Sequence, residues 1–273
     1  MVIPGSAAES CERLSPSFEE HIMSDRDAVL GLMIRKLETR VTLSAEDRAA
    51  ILALPFTRRI YDPPRYLLRE GESARQYCSF VISGLAFRQK LAATGARQIV
   101  SVHMRGDFLD LQHLFLNCCD HSVQALTRLE TADIDCKALK DLVLHRPGIA
   151  EALWIDALAD ASIFREWVLN VGRRDARARV AHLLCEFAMR LQAAGLADHG
   201  SYELPMTQEQ LGDAVGLTSI HINRTLKALA AEGLIRRDRR KVSFDDWDRL
   251  RHAADFSSIY LHLDQVASAE RVA

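Results

Sequence analysis

The spacing of apolar residues divides the chain into a short helical entry, a stretch of β-type runs, a long helical run and a mainly helical C-terminal region. Residues 1–26 mix Ser, Glu, Ala and Pro with weak periodicity and are expected to form a mobile arm. Short helices are predicted at Ala28–Leu37 and Ser44–Leu54, the second opened by Ser44 and Asp47, which resemble a capping box with an acid in its fourth place. Pro55 and the pair Pro63-Pro64 end this helical character. From Tyr66 to about Ile134 the pattern becomes RYLL, CSFVI, AFRQKL, RQIVSVHM, SVQALT and TADIDC. Gly71, Gly84, Gly95 and Gly106 punctuate these runs at separations of 13, 11 and 11, the rhythm of an antiparallel all-β unit.

Helical spacing returns at Ala138–His145, and Pro147 suits the first turn of another helix. From there Ala150, Trp154, Ala157, Ala161, Phe164, Val168 and Val171 alternate steps of four and three. Apolar residues on a 3.5 period form a coiled-coil seam, which predicts a second helix from a partner chain. Leu153, Ile155, Leu158, Ile163, Trp167 and Leu169 leave so little polar surface that the helix must be covered on a second side too. The competing reading is a helix buried wholly within one subunit. Gly172 is expected to interrupt the helix, and Asp175 to cap a new one through Leu191, with Val180, Leu183, Leu184, Phe187 and Leu191 on its apolar face.

The most specific stretch is Thr207–Leu229, TQEQLGDAVGLTSIHINRTLKAL. Thr207 and Gln210 make a capping box for a helix bearing Leu211, Ala214 and Val215, which Gly216 ends. Thr218 caps a second helix whose buried face is Ile222, Leu226 and Leu229. Gly212 costs about 1 kcal/mol relative to Ala in a helix, which predicts a close approach across the turn. The pair reads as a helix-turn-helix. A helix end at Gly233, strands at Leu234–Arg237 and Val242–Phe244 and a charged turn between them add a wing, followed by a helix capped by Asp245 through about Ala254. From Pro205 to Lys241 there are seven basic and four acidic residues, in a chain whose net charge is -2. Motif, wing and local charge point to DNA; the plainer alternative is a helical hairpin packing on its own domain, or serving as a protein-interaction module.

These motifs identify a resemblance to the Crp/Fnr family of bacterial transcription regulators, extending over about Ala28–Leu263. The resemblance implies an α+β chain: an N-terminal antiparallel β-roll of jelly-roll type, a long dimerisation helix and a C-terminal winged helix-turn-helix. Its boundaries would be an arm at 1–26, an effector-sensing β-roll at 27–146, a dimerisation helix at 147–171 and a DNA-binding domain at 172–273. The implied partners are a second copy of the chain, double-stranded DNA at a palindromic promoter site, and RNA polymerase. The residues of the second motif helix left outside its buried face, Ser219, Ile220, His221, Asn223, Arg224 and Lys227, with Thr218 and the wing's Arg239 and Arg240, are the expected DNA contacts. Arg224 matches the position of a guanine-reading arginine, while Ile220 stands where the Crp and Fnr types carry glutamate.

Cyclic-nucleotide-binding members of the family use Gly-Glu for the sugar and Arg-Ser for the cyclic phosphate. This chain has Gly106-Asp107 and His121-Ser122, and Phe164-Arg165 where those members hold Thr-Ser on the dimerisation helix. Asp107, His121, Ser122, Phe164 and Arg165 are therefore the expected effector positions, with cyclic AMP an ill-matched occupant and the effector and cofactor left unknown by the sequence. An iron-sulfur sensor needs an N-terminal cysteine cluster, and the arm has Cys11 alone. His113, Cys118, Cys119 and His121 offer four soft ligands within nine residues, a weak candidate for a metal or a redox-sensitive thiol site, since no CxxC or HxxxH frame is present. The plain reading is small buried cysteines and surface histidines.

Composition adds bounds. With 273 residues, 48% of them apolar, two domains with ordinary cores are expected. No apolar run reaches the ~18 residues of a membrane span, and MVIPGSAAESCERLS lacks a signal-peptide pattern, so the expected location is the cytoplasm, with no membrane partner. Six scattered cysteines in a chain of this size argue against a disulfide framework. No nucleophile, base and orienting group form a recognised motif, so an enzyme is not expected.

Overall fold

The computed structural model describes residues 16–197 and 200–263. Two helices open it, α1 (Pro16–Glu38) and α2 (Ala45–Leu52). The first starts earlier than the expected Ala28: it is one helix of 23 residues from Pro16, which suits a first turn, with no Gly or Pro following until Gly31. Residues 1–15 of the arm lie outside the described residues. The α2 cap is as read, with Ser44 Oγ accepting from Asp47 N and Asp47 Oδ2 accepting from Ser44 N.

Seven strands follow: β1 (Phe56–Tyr61), β2 (Tyr66–Leu68), β3 (Tyr77–Ser83), β4 (Ala86–Leu91), β5 (Arg97–His103), β6 (Ser122–Ala125) and β7 (Leu129–Asp135). They form two antiparallel sheets, β1-β7-β3 and β2-β6-β4-β5, enclosing Leu67, Leu68, Val81, Leu109, Val123 and Leu129. This is the β-roll. β1 is absent from the apolar pattern because only Tyr61 of FTRRIY is buried; the strand is held at a sheet edge by its register with β7.

α3 (Cys136–His145), capped by Asp135, leads into α4 (Pro147–Arg173), a helix of 27 residues and about 40 Å. Its inner stripe, Ile149, Ala152, Leu153, Ala159, Ile163 and Trp167, is buried within the chain. Trp154 at 69% exposure, Leu158, Val168 at 70% and Leu169 stand uncovered. Among the seam positions, Trp154, Ala157 and Val168 are exposed, and Ala150, Ala161, Phe164 and Val171 are half-buried, so the seam faces outward. Gly172 does not interrupt the helix, contrary to expectation. The break falls at Arg174, which is extended, and Asp175 caps α5 (Ala176–Ala193) by accepting from Ala178 N.

The C-terminal region holds β8 (Ser201–Glu203), α6 (Gln208–Val215), α7 (Ser219–Ala231), β9 (Arg236–Asp238), β10 (Lys241–Ser243) and α8 (Trp247–Ala253), with the sheet order β8-β10-β9. Both wing strands lie close to their predicted positions. The α8 cap is Asp246, accepting from Arg249 N, whereas Asp245 is taken by Arg236 across the wing.

The β-roll and the winged helix share one core: Phe87, Ile99 and Val102 of the roll and Ile163 and Trp167 of α4 join Leu184, Leu211 and Val215. Polar ties reinforce it. Arg97 of β5 pairs with Asp213 of α6 at 2.6 Å, and Gln98 Nε2 donates to Ala214 O at 3.1 Å. The segment FSSIYLHL, without a legible role in sequence, turns back as a 3-10 turn at Ser258–Leu261. There Tyr260 donates to Glu186 of α5 at 2.9 Å, and Arg40, in the turn after α1, donates to His262 O at 2.5 Å.

Candidate nucleic-acid interface

The two motif helices are fixed by local chemistry. Thr207 Oγ1 accepts from Gln210 N at 3.1 Å, and Gln210 Oε1 accepts from Thr207 N at 2.9 Å, satisfying two donors at the start of α6. Gly216 ends α6 in the left-handed region, with φ 68°. The close approach expected at Gly212 is to the turn itself: a Cβ there would lie 2.3 Å from Leu217 O. Thr218 Oγ1 then accepts from His221 N at 3.3 Å to start α7, which buries Ile222, Thr225, Leu226 and Leu229.

That burial turns the other face of α7 outward. Thr218, Ser219, Ile220, Arg224 and Lys227 are exposed, His221 and Asn223 are half-buried, and Ile220 reaches 81% exposure. Ser219, Ile220, Asn223, Arg224 and Lys227 line one shallow depression together with Gln208 of α6. Gln208 was not among the sequence candidates; its signal is its place at the first helical position after the Thr207 cap. The wing turn is Arg239-Arg240, with Arg239 at φ 52°, and both arginines are exposed. With Lys241 they edge a second depression that also holds Tyr202 and Glu203. An exposed helix face carrying amide, guanidinium and ammonium donors, flanked by a cationic hairpin, can meet base edges with the first and phosphates with the second.

Three of the five expected effector positions, Asp107, His121 and Ser122, have partners within the chain. Asp107 is held by Lys36 and by Arg190, each at 3.1 Å, and accepts from Met104 N. Burial pushes its carboxyl up, but Lys36 and Arg190 outweigh that and hold it well below the usual carboxylate range. Ser122 Oγ accepts from Glu70 N, and His121 Nδ1 lies 2.6 Å from Asp120 Oδ1. Phe164 is half-buried and Arg165 is exposed on α4.

A cation missed in the sequence reading occupies this region. Arg88 of β4, 7% exposed, donates to Leu109 O at 3.1 Å and pairs with Asp160 of α4 at 2.7 Å. Nothing in the local spacing marks it, because its partner lies 72 positions away. Beside it, burial and then the Arg88 charge push His103 down to about 3, and His103 Nε2 lies 2.8 Å from Ser101 Oγ.

The soft-ligand loop only partly assembles. His113 Nε2 lies 3.2 Å from Cys119 Sγ, both buried, whereas Cys118 is exposed and His121 turns to Asp120. Burial lowers the His113 and His121 imidazoles and raises the Cys119 thiol. Among the described residues no group of three His, Cys, Asp or Glu is placed to hold a metal ion. In this arrangement the four candidates do not converge: Cys118 faces out while Cys119 faces in.

Residues 58–146 match the cyclic nucleotide-binding domain, and residues 178–253 match the Crp-like helix-turn-helix domain. The transcriptional activator protein FnrL of Cereibacter sphaeroides is 27% identical over 196 residues, covering 70% of this chain and 78% of that protein. The cAMP-activated global transcriptional regulator CRP of Escherichia coli is 27% identical over 177 residues, 64% of this chain and 83% of that protein. Among solved structures, FixK2 from Bradyrhizobium japonicum superposes with a TM-score of 0.68 at 25% identity, covering 75% of this chain and all of that one.

Proposed function

Because the chain belongs to the Crp/Fnr family, which is made of DNA-binding transcription regulators and not enzymes, we propose that it acts as a homodimer that reads a palindromic promoter site through α7. The observation that carries this reading is the uncovered face of α7, where Ser219, Ile220, Asn223, Arg224 and Lys227 converge while the opposite face is buried. Arg224 reads a guanine by a bidentate contact, Ile220 touches a thymine methyl where it touches a base at all, and Lys227, Arg239 and Arg240 contact phosphates. The exposed stripe of α4 supplies the dimer seam. Two α7 helices then meet half-sites about one helical turn apart, and the protein works in the cytoplasm with RNA polymerase as its functional partner. No helix among the described residues is long and apolar enough to cross a membrane.

A binding-site selection tests the reading. Arg224→Ala should cost about 1–3 kcal/mol and relax preference at one base pair, while Lys227→Ala should weaken all sequences alike and flatten the salt dependence. Unchanged base preference in Arg224→Ala would remove that residue from the reading set.

Cyclic AMP is not the signal in this proposal. A cyclic phosphate needs a free cation, yet the cassette arginine is replaced by His121 and Arg88 is committed to Asp160; Asp107, where the family's sugar-reading acid would stand, is paired with Lys36 and Arg190. Calorimetry that found a saturable micromolar site for cyclic AMP would overturn this.

A further inference from the structure

Outside the DNA-reading face, two cysteines distant in sequence meet. Cys78 lies on β3, where its register partner on β7 is Ile134, and Cys136 is two residues beyond Ile134, at the first position of α3. Cys136 N donates to Gln76 O at 2.9 Å, which carries the pairing of the two segments one step past the sheet. The two Sγ atoms consequently stand 3.5 Å apart. Cys78 is fully buried, and Cys136 is partly exposed.

We propose that Cys136 and Cys78 form an oxidisable dithiol, a modification site at which a hydroperoxide converts the pair to a reversible disulfide. Cys136 is the attacking thiol. It alone of the two is open to solvent, and it sits at a helix N-terminus whose dipole favours a thiolate. The hydrogen bond from Cys78 lowers the Cys136 thiol, against burial and the carboxylates of Asp110 and Asp135. Cys78 is correspondingly raised by that hydrogen bond and by burial, so it keeps its proton. When protonated, Cys136 has a resting acceptor in Arg75 O at 3.6 Å, and Cys78 has one in Asp110 O at 3.7 Å. The remaining described cysteines lack such a pairing of roles: burial raises Cys119 and Cys185, and Cys118 points outward next to its carbonyl contact with Cys119.

The reaction balances in two steps. The Cys136 thiolate attacks one peroxide oxygen, the O–O bond breaks, and the departing alkoxide or hydroxide takes a proton; Cys136 is now a sulfenic acid, and an alcohol or water has left. Cys78 sulfur then attacks the sulfenyl sulfur, the S–O bond breaks, and the hydroxide leaves as water with the Cys78 proton. Two thiols have lost two electrons to one peroxide. Closing the gap from 3.5 Å to the ~2.05 Å of a disulfide draws the start of α3 toward β3.

The test treats the reduced full-length protein, in a Cys118→Ser background, with a few equivalents of hydrogen peroxide, followed by intact mass and peptide mapping. The expected major product has lost two hydrogens, contains a Cys78–Cys136 cross-linked peptide, and returns to the starting mass with dithiothreitol. Cys78→Ser should stop at a sulfenic acid on Cys136 that dimedone captures, and Cys136→Ser should leave Cys78 unmodified. A map in which Cys136 stays a thiol while other cysteines oxidise would overturn the proposal, and so would a dominant disulfide between any other pair. The mapping of the Cys118→Ser protein decides the matter even where the Cys78 variant folds poorly.

Discussion

Substituting Gly212 sets two effects of opposite sign against each other. Alanine in a helix interior gains about 1 kcal/mol over glycine. Against that, the new Cβ would stand 2.3 Å from Leu217 O, at least 0.7 Å inside the 3.0 Å that real Cβ contacts keep, and the atom it meets is backbone. That carbonyl cannot rotate away cheaply, since Leu217 N donates back to Gly212 O at 3.0 Å and the next residue, Thr218, caps α7. Overpacking of this kind costs about 1–3 kcal/mol, and loss of the cap adds about 1 kcal/mol. The expected net is a loss of about 2 kcal/mol, or roughly 4–8 °C in Tm for a chain of this size. Gly31→Ala is the control: it is also inside a helix, but its Cβ would meet only the flexible end of Arg35 at 3.6 Å, so it should gain stability. Thermal and urea unfolding of both variants, with DNA binding measured alongside, decides between the effects. If Gly212→Ala rises in Tm as Gly31→Ala does, helix propensity has outweighed contact and the geometry of the turn has been misjudged.

Replacing Val168 with Glu puts paired like charges into the α4 seam and removes apolar contacts worth about 1.5–3 kcal/mol per side chain, so sedimentation should show dissociation; a wild-type chain monomeric at micromolar concentration would refute the seam. His103 and His182 are both held neutral, pushed by burial from 6.5 down to about 3, so each gives stability that is present above 6.5 and lost as pH falls toward 3, at about 1.4 kcal/mol per pH unit. Asp110, raised by burial from 3.8 to about 7, has the opposite slope: its contribution is full below 3.8 and lost as pH rises through 7. Asp110→Asn should therefore steepen the acid-side fall of the urea midpoint between about pH 4 and 6.5 by about one proton's worth, and an unchanged slope would show that Asp110 is ionised in the folded chain.

What the sequence made legible is what a local period or cap encodes. The 3.5 repeat from Ala150, the Thr207-Gln210 box and the Gly216 break each involve neighbours within one or two turns, and each corresponds to an element found. β1 and β8 escaped because an edge strand such as FTRRIY buries one residue in six and a three-residue strand such as Ser201–Glu203 has no period to show. α1 was cut short because its N-terminal half is polar. The sensor's interior escaped for a different reason. Lys36 with Asp107, Arg88 with Asp160 and Arg190 with Asp107 are separated by 71, 72 and 83 positions, and only the closing of the roll over α4 and α5 brings them together. Asp107, an effector position expected from the family resemblance, is a buried anion paired with Lys36 and Arg190.

That anion bears on how sensor and reader are joined. Asp107 lies on the turn after β5, Arg190 on α5 of the winged-helix side, and Lys36 on α1, where Asp156 of α4 and Arg40 extend the chain of charges to the carbonyl of His262. Removing one member of a buried ion pair costs about 3–5 kcal/mol because its partner is left uncompensated. A displacement of the β5 turn that does not carry Arg190, and with it α5, breaks this pair and leaves Arg190 with Glu186 at 3.3 Å. The second tie, Arg97 to Asp213, grips α6 rather than α7. The reader is thus held from behind while its DNA-facing helix stays open, and the orientation of α7 is set by the roll as well as by the break at Arg174. A change at the turn 104–107 thus reaches α5 through Arg190 without any contact with α7.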